Sequence, residues 1–133
     1  MSFLNLRLAP NERVLINGAV IENGDRPTKI AIRTPNVRVL RLRDAMHPDD
    51  AKTPVSIACY TAQMILMGDI EPGEGHRQLL VAIEQLSQVF TDHDSRQLLA
   101  EATEKVAEDK IYVVMRRLRD LLPREARLFA FNQ

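Results

Sequence analysis

The strongest constraint on the fold is a change in the spacing of apolar residues after Asp44. Before Asp44, short segments alternate apolar and polar side chains with a period of two, which is typical of half-buried strands. Beyond a polar connector at 44–53, apolar residues recur every three to four positions, which is typical of amphipathic helices. The sequence therefore predicts an α+β fold, with an N-terminal antiparallel sheet followed by helices.

The first 43 residues predict about five short strands joined as a meander. Residues that favour turns separate the apolar segments, and Asn17-Gly18 is a dipeptide that favours a two-residue hairpin. Alternation in the fourth strand places Lys29 and Arg33 on its outward face. The predicted strands cover residues 3–8, 13–16, 19–22, 28–33 and 37–43.

The remaining residues predict about four helices. Thr53 is a good N-cap, and Pro54 follows it at the first helical position, where proline is favoured. The predicted helices are 55–67, 76–90, a third capped by Asp94 or Ser95, and 110–122, which Pro123 ends. The apolar tail at 126–131 predicts a short extra strand or a docking segment. The predicted organisation is a β-rich half at 1–43, a connector at 44–53 and a helical half at 54–133, packed as one compact unit.

Composition favours a cytoplasmic protein. Apolar residues make up 45% of the 133 residues, which is enough for a folded core. No run reaches the roughly 18 apolar residues of a membrane helix, and the N-terminus lacks the pattern of a secretory signal. The single cysteine, Cys59, excludes an internal disulfide framework and fits a reducing compartment.

The residues that usually carry catalysis do not form a recognisable site. His47, His76 and His93 are far apart and lack partners at the spacing of a zinc site. Cys59 lies in an apolar run, which predicts a buried, unreactive thiol. No nucleophile elbow, Walker motif or dinucleotide motif is present. The sequence therefore predicts a protein that is not an enzyme and has no metal or cofactor.

Charge is distributed unevenly although the net charge is zero. Residues 1–55 carry nine Lys and Arg against six Asp and Glu, a net +3, and residues 56–133 carry a net −3. The stretch 26–43 has six basic residues and no acidic residue, and such a concentration of positive charge is what phosphate binding needs. The other interpretation is that these bases keep an edge-rich sheet soluble. The bases are Arg26, Lys29, Arg33, Arg38, Arg41 and Arg43.

Aromatic residues are absent between Leu4 and Cys59, so this sheet cannot stack bases on aromatic rings. An RNA would have to be held by Arg and Lys, by backbone groups and by sheet edges. A second basic cluster, Arg116-Arg117-Arg119, is either the solvated face of the last helix or a further RNA contact.

Four separated segments resemble the FlbT family of flagellar regulators. They are ERVLINGAVIENGDR (12–26), VLRLRDAMHPDDAKTP (39–54), IACYTAQMILMGD (57–69) and KIYVVMRRLRDLLPREARLF (110–129). The resemblance implies post-transcriptional control of flagellin, in which the protein binds the 5′ untranslated leader of flagellin mRNA and represses translation or destabilises the message. It also implies other flagellar regulatory proteins as partners.

Residues 3–43 alone also resemble the carbon storage regulators, which are dimeric RNA-binding sheets. In that family the first and last strands form the RNA face and the arginine that ends the last strand is the main contact. The matching position is Arg41, and Leu6, Arg7 and Leu8 match the first strand, although Leu8 and Ala9 stand where that family has bases. The expected RNA-binding residues are Arg41, Arg43, Arg38, Arg33, Lys29 and Arg7.

Two alternatives stay open at this point. An adaptor or chaperone-like protein would hold a protein client on its acidic helices and on the 128–131 tail. Arg41 would be structural if it paired with Asp44. Strand edges at 3–8 and 37–43 further predict a homodimer or higher oligomer, or an edge that the tail covers.

Overall fold

The structure is a computed structural model that describes residues 4–17, 19–41 and 45–131. They fall into two compact units. The first, called the β unit here, comprises the described residues up to Ala45 together with Leu66–Gly68. The second, the helical unit, comprises Met46–Ile65 and the described residues from Asp69 onward. The predicted α+β fold is confirmed, since antiparallel strands come first and helices follow.

The strands of the β unit form two small antiparallel sheets. β1 pairs with β4, and β2 lies between β3 and β5. The predicted meander is therefore wrong, because β1 lies next to β4 rather than β2. The predicted hairpin is confirmed: Ile16 lies opposite Ala19, and Asn17 has the positive φ of 49° that such a turn requires. The strands are β1 (Leu4–Leu8), β2 (Arg13–Ile16), β3 (Ala19–Glu22), β4 (Thr28–Ile32) and β5 (Val39–Arg41).

An apolar cluster explains why β1 pairs with β4. Leu6 and Leu8 of β1 are buried together with Val14 of β2. The register places Leu6 opposite Ile30, which packs against the same cluster. The pairing thus gathers the apolar side chains of both strands on one face, and their polar side chains are left on the other face.

The helical unit contains five α-helices among its described residues. α3 packs against both α2 and α4. None of these helices combines the length and the apolar character that crossing a bilayer requires. The helices are α1 (Pro54–Met67), α2 (Pro72–Val89), α3 (His93–Ala107), α4 (Ile111–Arg119) and α5 (Leu122–Phe131), and a 3₁₀ turn at Pro48–Asp50 precedes them.

Three helix starts differ from the prediction. α2 begins at Pro72, not near His76, because the Glu71 carboxylate accepts hydrogen bonds from two backbone N–H groups of its first turn. α3 is capped by Asp92, which places Asp94 and Ser95 inside the helix. Pro123 belongs to the first turn of α5, where its missing N–H costs nothing. The tail, for which an extra strand or a docking segment was expected, is part of this helix.

The start of α1 is held by a local and a distant contact. Thr53 and Ser56 form a reciprocal capping box: the Thr53 side chain accepts from Ser56 N at 3.2 Å, and the Ser56 side chain accepts from Thr53 N at 2.8 Å. The intervening N–H of Val55 donates to Glu125 Oε2 at 2.8 Å. Glu125 lies on α5, is only 6% exposed and completes the cap from 70 residues away.

Replacement of Glu125 by Ala tests this distant cap. We expect Glu125→Ala to lower the free energy of unfolding by about 1–3 kcal/mol, because the buried N–H of Val55 loses its acceptor. Urea denaturation measures the change. Glu104→Ala, at an exposed position of α3, is the control and should stay within about 0.5 kcal/mol of the wild type. Equal effects of the two variants would contradict the cap.

Candidate nucleic-acid interface

A groove of about 480 Å³ in the β unit brings two of the predicted RNA-binding residues together. Residues at the end of β1, in the turn that follows it, before β4 and at the end of β5 form its walls. The lining residues are Arg7, Leu8, Ala9, Pro10, Glu12, Pro27 and Arg41.

Glu12 fixes the position of Arg41 in this groove. Its Oε2 atom accepts a hydrogen bond from Arg41 Nη1 at 2.9 Å, and its Oε1 atom accepts from Ala9 N at 2.9 Å. The Glu12 side chain is 6% exposed and that of Arg41 is 21% exposed. A buried carboxylate that is hydrogen-bonded on both oxygens holds the guanidinium in one orientation.

The turn that carries Glu12 is itself constrained by hydrogen bonds. Glu12 N donates to Ala9 O at 3.1 Å, and Asn11 adopts a left-handed conformation with φ of 60°. The side-chain amide of Asn23 donates to Ala9 O at 2.8 Å and to Arg26 O at 2.9 Å. These bonds join both sides of the groove, so its shape is set before any ligand binds.

Arg7 and Lys29 form a pair of like charges beside the groove. They lie directly opposite each other on β1 and β4, and both are exposed on the polar face of that sheet. Like charges at opposite positions destabilise a sheet. Within the described residues, no acidic side chain forms an ion pair with either of them. The arrangement can therefore bind an anion that bridges the two strands.

Comparison with known proteins identifies the family. The model of the flagellar protein FlbT family matches residues 4–129, which is nearly the whole chain. The chain belongs to the FlbT family.

Curated relatives in this family carry the name of flagellum biosynthesis repressors. A probable repressor from Mesorhizobium japonicum is 29% identical over 129 residues, which cover 97% of this chain and 86% of that protein. The corresponding protein of Allorhizobium ampelinum is 33% identical over 132 residues, covering 96% and 84%. The flagellum biosynthesis repressor of Caulobacter vibrioides is 34% identical over 67 residues, which are 50% of this chain and 47% of that protein. No solved structure matches significantly.

Within this FlbT-family chain, the six predicted RNA-binding residues do not form one cluster. Arg7, Lys29 and Arg41 are brought together by the β1–β4 register and by the groove. Arg33 is exposed and follows β4 at its other end, about 13 Å along the strand from Lys29. Arg38 precedes β5 and its backbone N–H donates to Asn17 Oδ1 at 2.9 Å. Arg43 lies outside the described residues, and so does Asp44, the expected structural partner of Arg41.

The second basic cluster of the FlbT-family chain is partly occupied by ion pairs. Arg117 Nη1 lies 2.8 Å from Asp120 Oδ2, and Arg117 Nε lies 3.3 Å from Glu101 Oε1. Arg119 is half-buried and also engaged, whereas Arg116 is exposed. These contacts favour a structural role for Arg117 in joining α3 to α4.

Cys59 is buried as predicted, and burial raises the pKa of its thiol to about 12. Such a thiol stays protonated near neutral pH and is a poor nucleophile. Among residues 4–17, 19–41 and 45–131, no three His, Cys, Asp or Glu side chains are arranged to hold a metal ion.

Two residues that shape the groove were missed by the sequence reasoning. Glu12 was not among the expected RNA-binding residues, and its partner Arg41 lies 29 residues further along the chain. Asn23 was not expected to shape a binding site, although its amide joins the two sides of the groove. The only available signal was an isolated acid directly before an apolar strand, and that pattern does not indicate a partner.

Reversal of one charge tests the repulsion between Arg7 and Lys29. We expect Lys29→Glu to raise the free energy of unfolding by about 1 kcal/mol, because an opposite-charge pair replaces a like-charge pair across the two strands. Urea denaturation at low salt measures the effect. Lys52→Glu, at an exposed position of the connector, makes the same charge change and should stay within about 0.5 kcal/mol. A Lys29→Glu variant that is less stable than the wild type would show that the pair does not repel.

Proposed function

We propose that this chain regulates flagellin synthesis by binding the 5′ untranslated leader of flagellin mRNA, and that it represses translation or destabilises the message. Membership of the FlbT family and the repressor names of its relatives support the flagellar role. The activity is binding in the cytoplasm and involves no chemical step. The buried, protonated Cys59 thiol is consistent with the absence of a chemical step.

The observation that carries RNA binding is the Arg7–Lys29 pair. Two exposed cations held opposite each other repel in the free protein, and a phosphate between them would remove that repulsion. A charge arrangement that lowers stability in the free protein is readily explained by a ligand of opposite charge. The basic stretch at 26–43 extends the same positive character along the β unit.

Arg41 has a different part in this proposal. Its charge is largely compensated by the adjacent Glu12 carboxylate, so it attracts a phosphate less strongly than Arg7 or Lys29 does. Its oriented N–H donors suit a base edge, which is recognised by hydrogen-bond geometry. Arg7 and Lys29 would then position the RNA backbone, and Arg41 would distinguish sequences.

Titration of the purified protein with flagellin leader RNA at about 50 and 200 mM salt tests the proposal. We expect Lys29→Gln to lower the affinity for leader RNA and for an unrelated RNA equally. It should also reduce the slope of log affinity against log salt by about 0.7. Arg41→Lys should lower the affinity for leader RNA and leave the affinity for the unrelated RNA unchanged, because the charge stays but the planar donor pair is lost. Fluorescence anisotropy measures both affinities.

Arg116→Gln is the matched control, since it removes an exposed basic side chain from the other basic cluster. It should leave both affinities within about twofold of the wild type if the β unit holds the RNA. A wild-type protein that does not bind leader RNA at low salt would overturn the proposal. A larger loss with Arg116→Gln than with Lys29→Gln would place the RNA on α4.

An adaptor that binds a protein client is the second candidate. Large apolar side chains are exposed on several helices, with Phe131 of α5 at 89% exposure and Val89 of α2 at 58%. Exposed apolar side chains are typical of surfaces that bind other proteins. Leu80 and Val81 on α2 and Phe129 on α5 are exposed as well. Binding of purified flagellin that Phe129→Ser abolishes, without leader-RNA binding, would favour this candidate.

A further inference from the structure

We propose that β3 is a homodimer surface, at which two copies of this chain pair their β3 strands antiparallel about a two-fold axis at Val20. β3 lies at the edge of its three-stranded sheet, and among the described residues no strand pairs with its other side. All four residues of β3 are exposed. The proposed dimer thus uses β3 rather than the edges at 3–8 and 37–43 that the sequence suggests, and it does not depend on RNA binding.

The backbone of Val20 points its hydrogen-bonding groups toward the free side of β3. Asn23 N donates to Glu12 O at 2.8 Å, which makes these two residues a hydrogen-bonded pair that continues the β2–β3 register. Hydrogen-bonded and non-hydrogen-bonded pairs alternate along an antiparallel ladder, so Val20, three positions before Asn23, forms a non-hydrogen-bonded pair with Leu15. The N–H and C=O of Val20 therefore face away from β2 and can bond a further strand.

A row of apolar side chains across this sheet ends at Val20. The register places Val20 opposite Leu15, and Leu15 opposite Leu40, so the three side chains lie on one face of the sheet. Leu15 and Leu40 are buried, whereas Val20 is 61% exposed. A second copy on the free side of β3 would continue this row and remove the Val20 side chain from water.

A two-fold axis at Val20 gives a self-complementary register. About such an axis, Val20 exchanges both backbone hydrogen bonds with its own counterpart in the second copy. Ala19 then lies opposite Ile21 of the second copy, which pairs a small side chain with a large one on the other face of the sheet. A register centred on Ile21 would instead place the Glu22 carboxylate opposite the apolar Val20, so the axis at Val20 is favoured.

The charges favour β3 over the other open edges, and a second copy as the partner. The first three residues of β3 are uncharged, and the carboxylate of the fourth, Glu22, lies 2.7 Å from Arg13. Pairing at β1 or at β4 would bring two Arg7–Lys29 pairs into one sheet, where like charges repel. Two copies approaching through β3 meet no such repulsion, since the net charge of the whole chain is zero.

Opposite charges introduced at Val20 test the two-fold axis. Sedimentation equilibrium from about 1 to 200 µM should show the wild type approaching twice the 15.1 kDa of the single chain, because dimerisation follows mass action. Val20→Lys and Val20→Glu should each stay monomeric, because like charges would lie opposite each other at the axis. An equimolar mixture of the two variants should restore the dimer, because a residue that pairs with its own counterpart then brings the two introduced charges together.

Val81→Lys is the matched control. It makes the same change at another exposed apolar residue, on α2, and should dimerise as the wild type does. Thermal unfolding followed by circular dichroism shows whether the Val20 variants fold. We expect their melting temperatures to stay close to that of the wild type at low protein concentration, because charged side chains are common on edge strands.

Cysteine substitution decides the question if the charged variants do not fold. Val20→Cys should give a disulfide-linked dimer under a mild oxidant, because the Cα atoms of a hydrogen-bonded pair lie about 5.5 Å apart, within the range of a disulfide. Ile21→Cys is the control and should give little linked dimer, since its counterpart lies out of register. The native Cys59 is buried and should not contribute. Non-reducing gel electrophoresis measures the linked dimer, and faster linkage through Ile21→Cys would overturn the axis at Val20.

Three further results would overturn the proposal. They are a wild type that stays monomeric at every concentration, folded Val20 variants that dimerise as well as the wild type, and a mixture of the two charged variants that stays monomeric. The first result would leave the edge of β3 to a strand of a different protein. A monomeric wild type that binds leader RNA would overturn the dimer alone, whereas a dimer that does not bind leader RNA would overturn only the proposed function.

Discussion

Burial of the Glu12 carboxylate is the constraint on which the β unit depends. A charged group that loses its water must recover the cost through hydrogen bonds, and here Ala9 N and Arg41 supply them. One bond fixes the turn after β1 and the other fixes the end of β5. The same carboxylate therefore determines the path of the chain and the orientation of the side chain that lines the groove.

Local patterns predicted the parts of the fold that local energy decides. The period-two and period-3.6 spacings gave the α+β fold, Asn17 gave the hairpin, and Thr53 gave the start of α1. The pairing of β1 with β4 was not predictable in this way, because it depends on burying Leu6 in a cluster drawn from several strands. The predicted start of α2 near His76 was wrong, since a glycine such as Gly75 is unfavourable inside a helix and favours a loop. In the fold, Gly75 is buried within α2, and a Cβ there would lie 2.5 Å from Ile65 side-chain atoms, which would have to shift.

The candidate site was predictable in composition but not in arrangement. Counting charges along the chain located the basic stretch, since composition needs no knowledge of the fold. Which basic residues lie close together depends on strand register. The register places Arg7 opposite Lys29 and leaves Arg33 at the far end of the same sheet. The partner of Arg41 could not be inferred either, because ion pairs between distant residues leave no mark on a single sequence.

The contact between Glu125 and Val55 has a consequence for the newly made chain. Seventy residues separate the two groups, and translation at about 5–20 residues per second needs roughly 4–14 s to cover that distance. During that interval the first turn of α1 has its capping box but lacks the acceptor for Val55 N. The helical unit is thus completed late in synthesis, whereas the strand pairings described for the β unit are available once Arg41 has emerged from the ribosome.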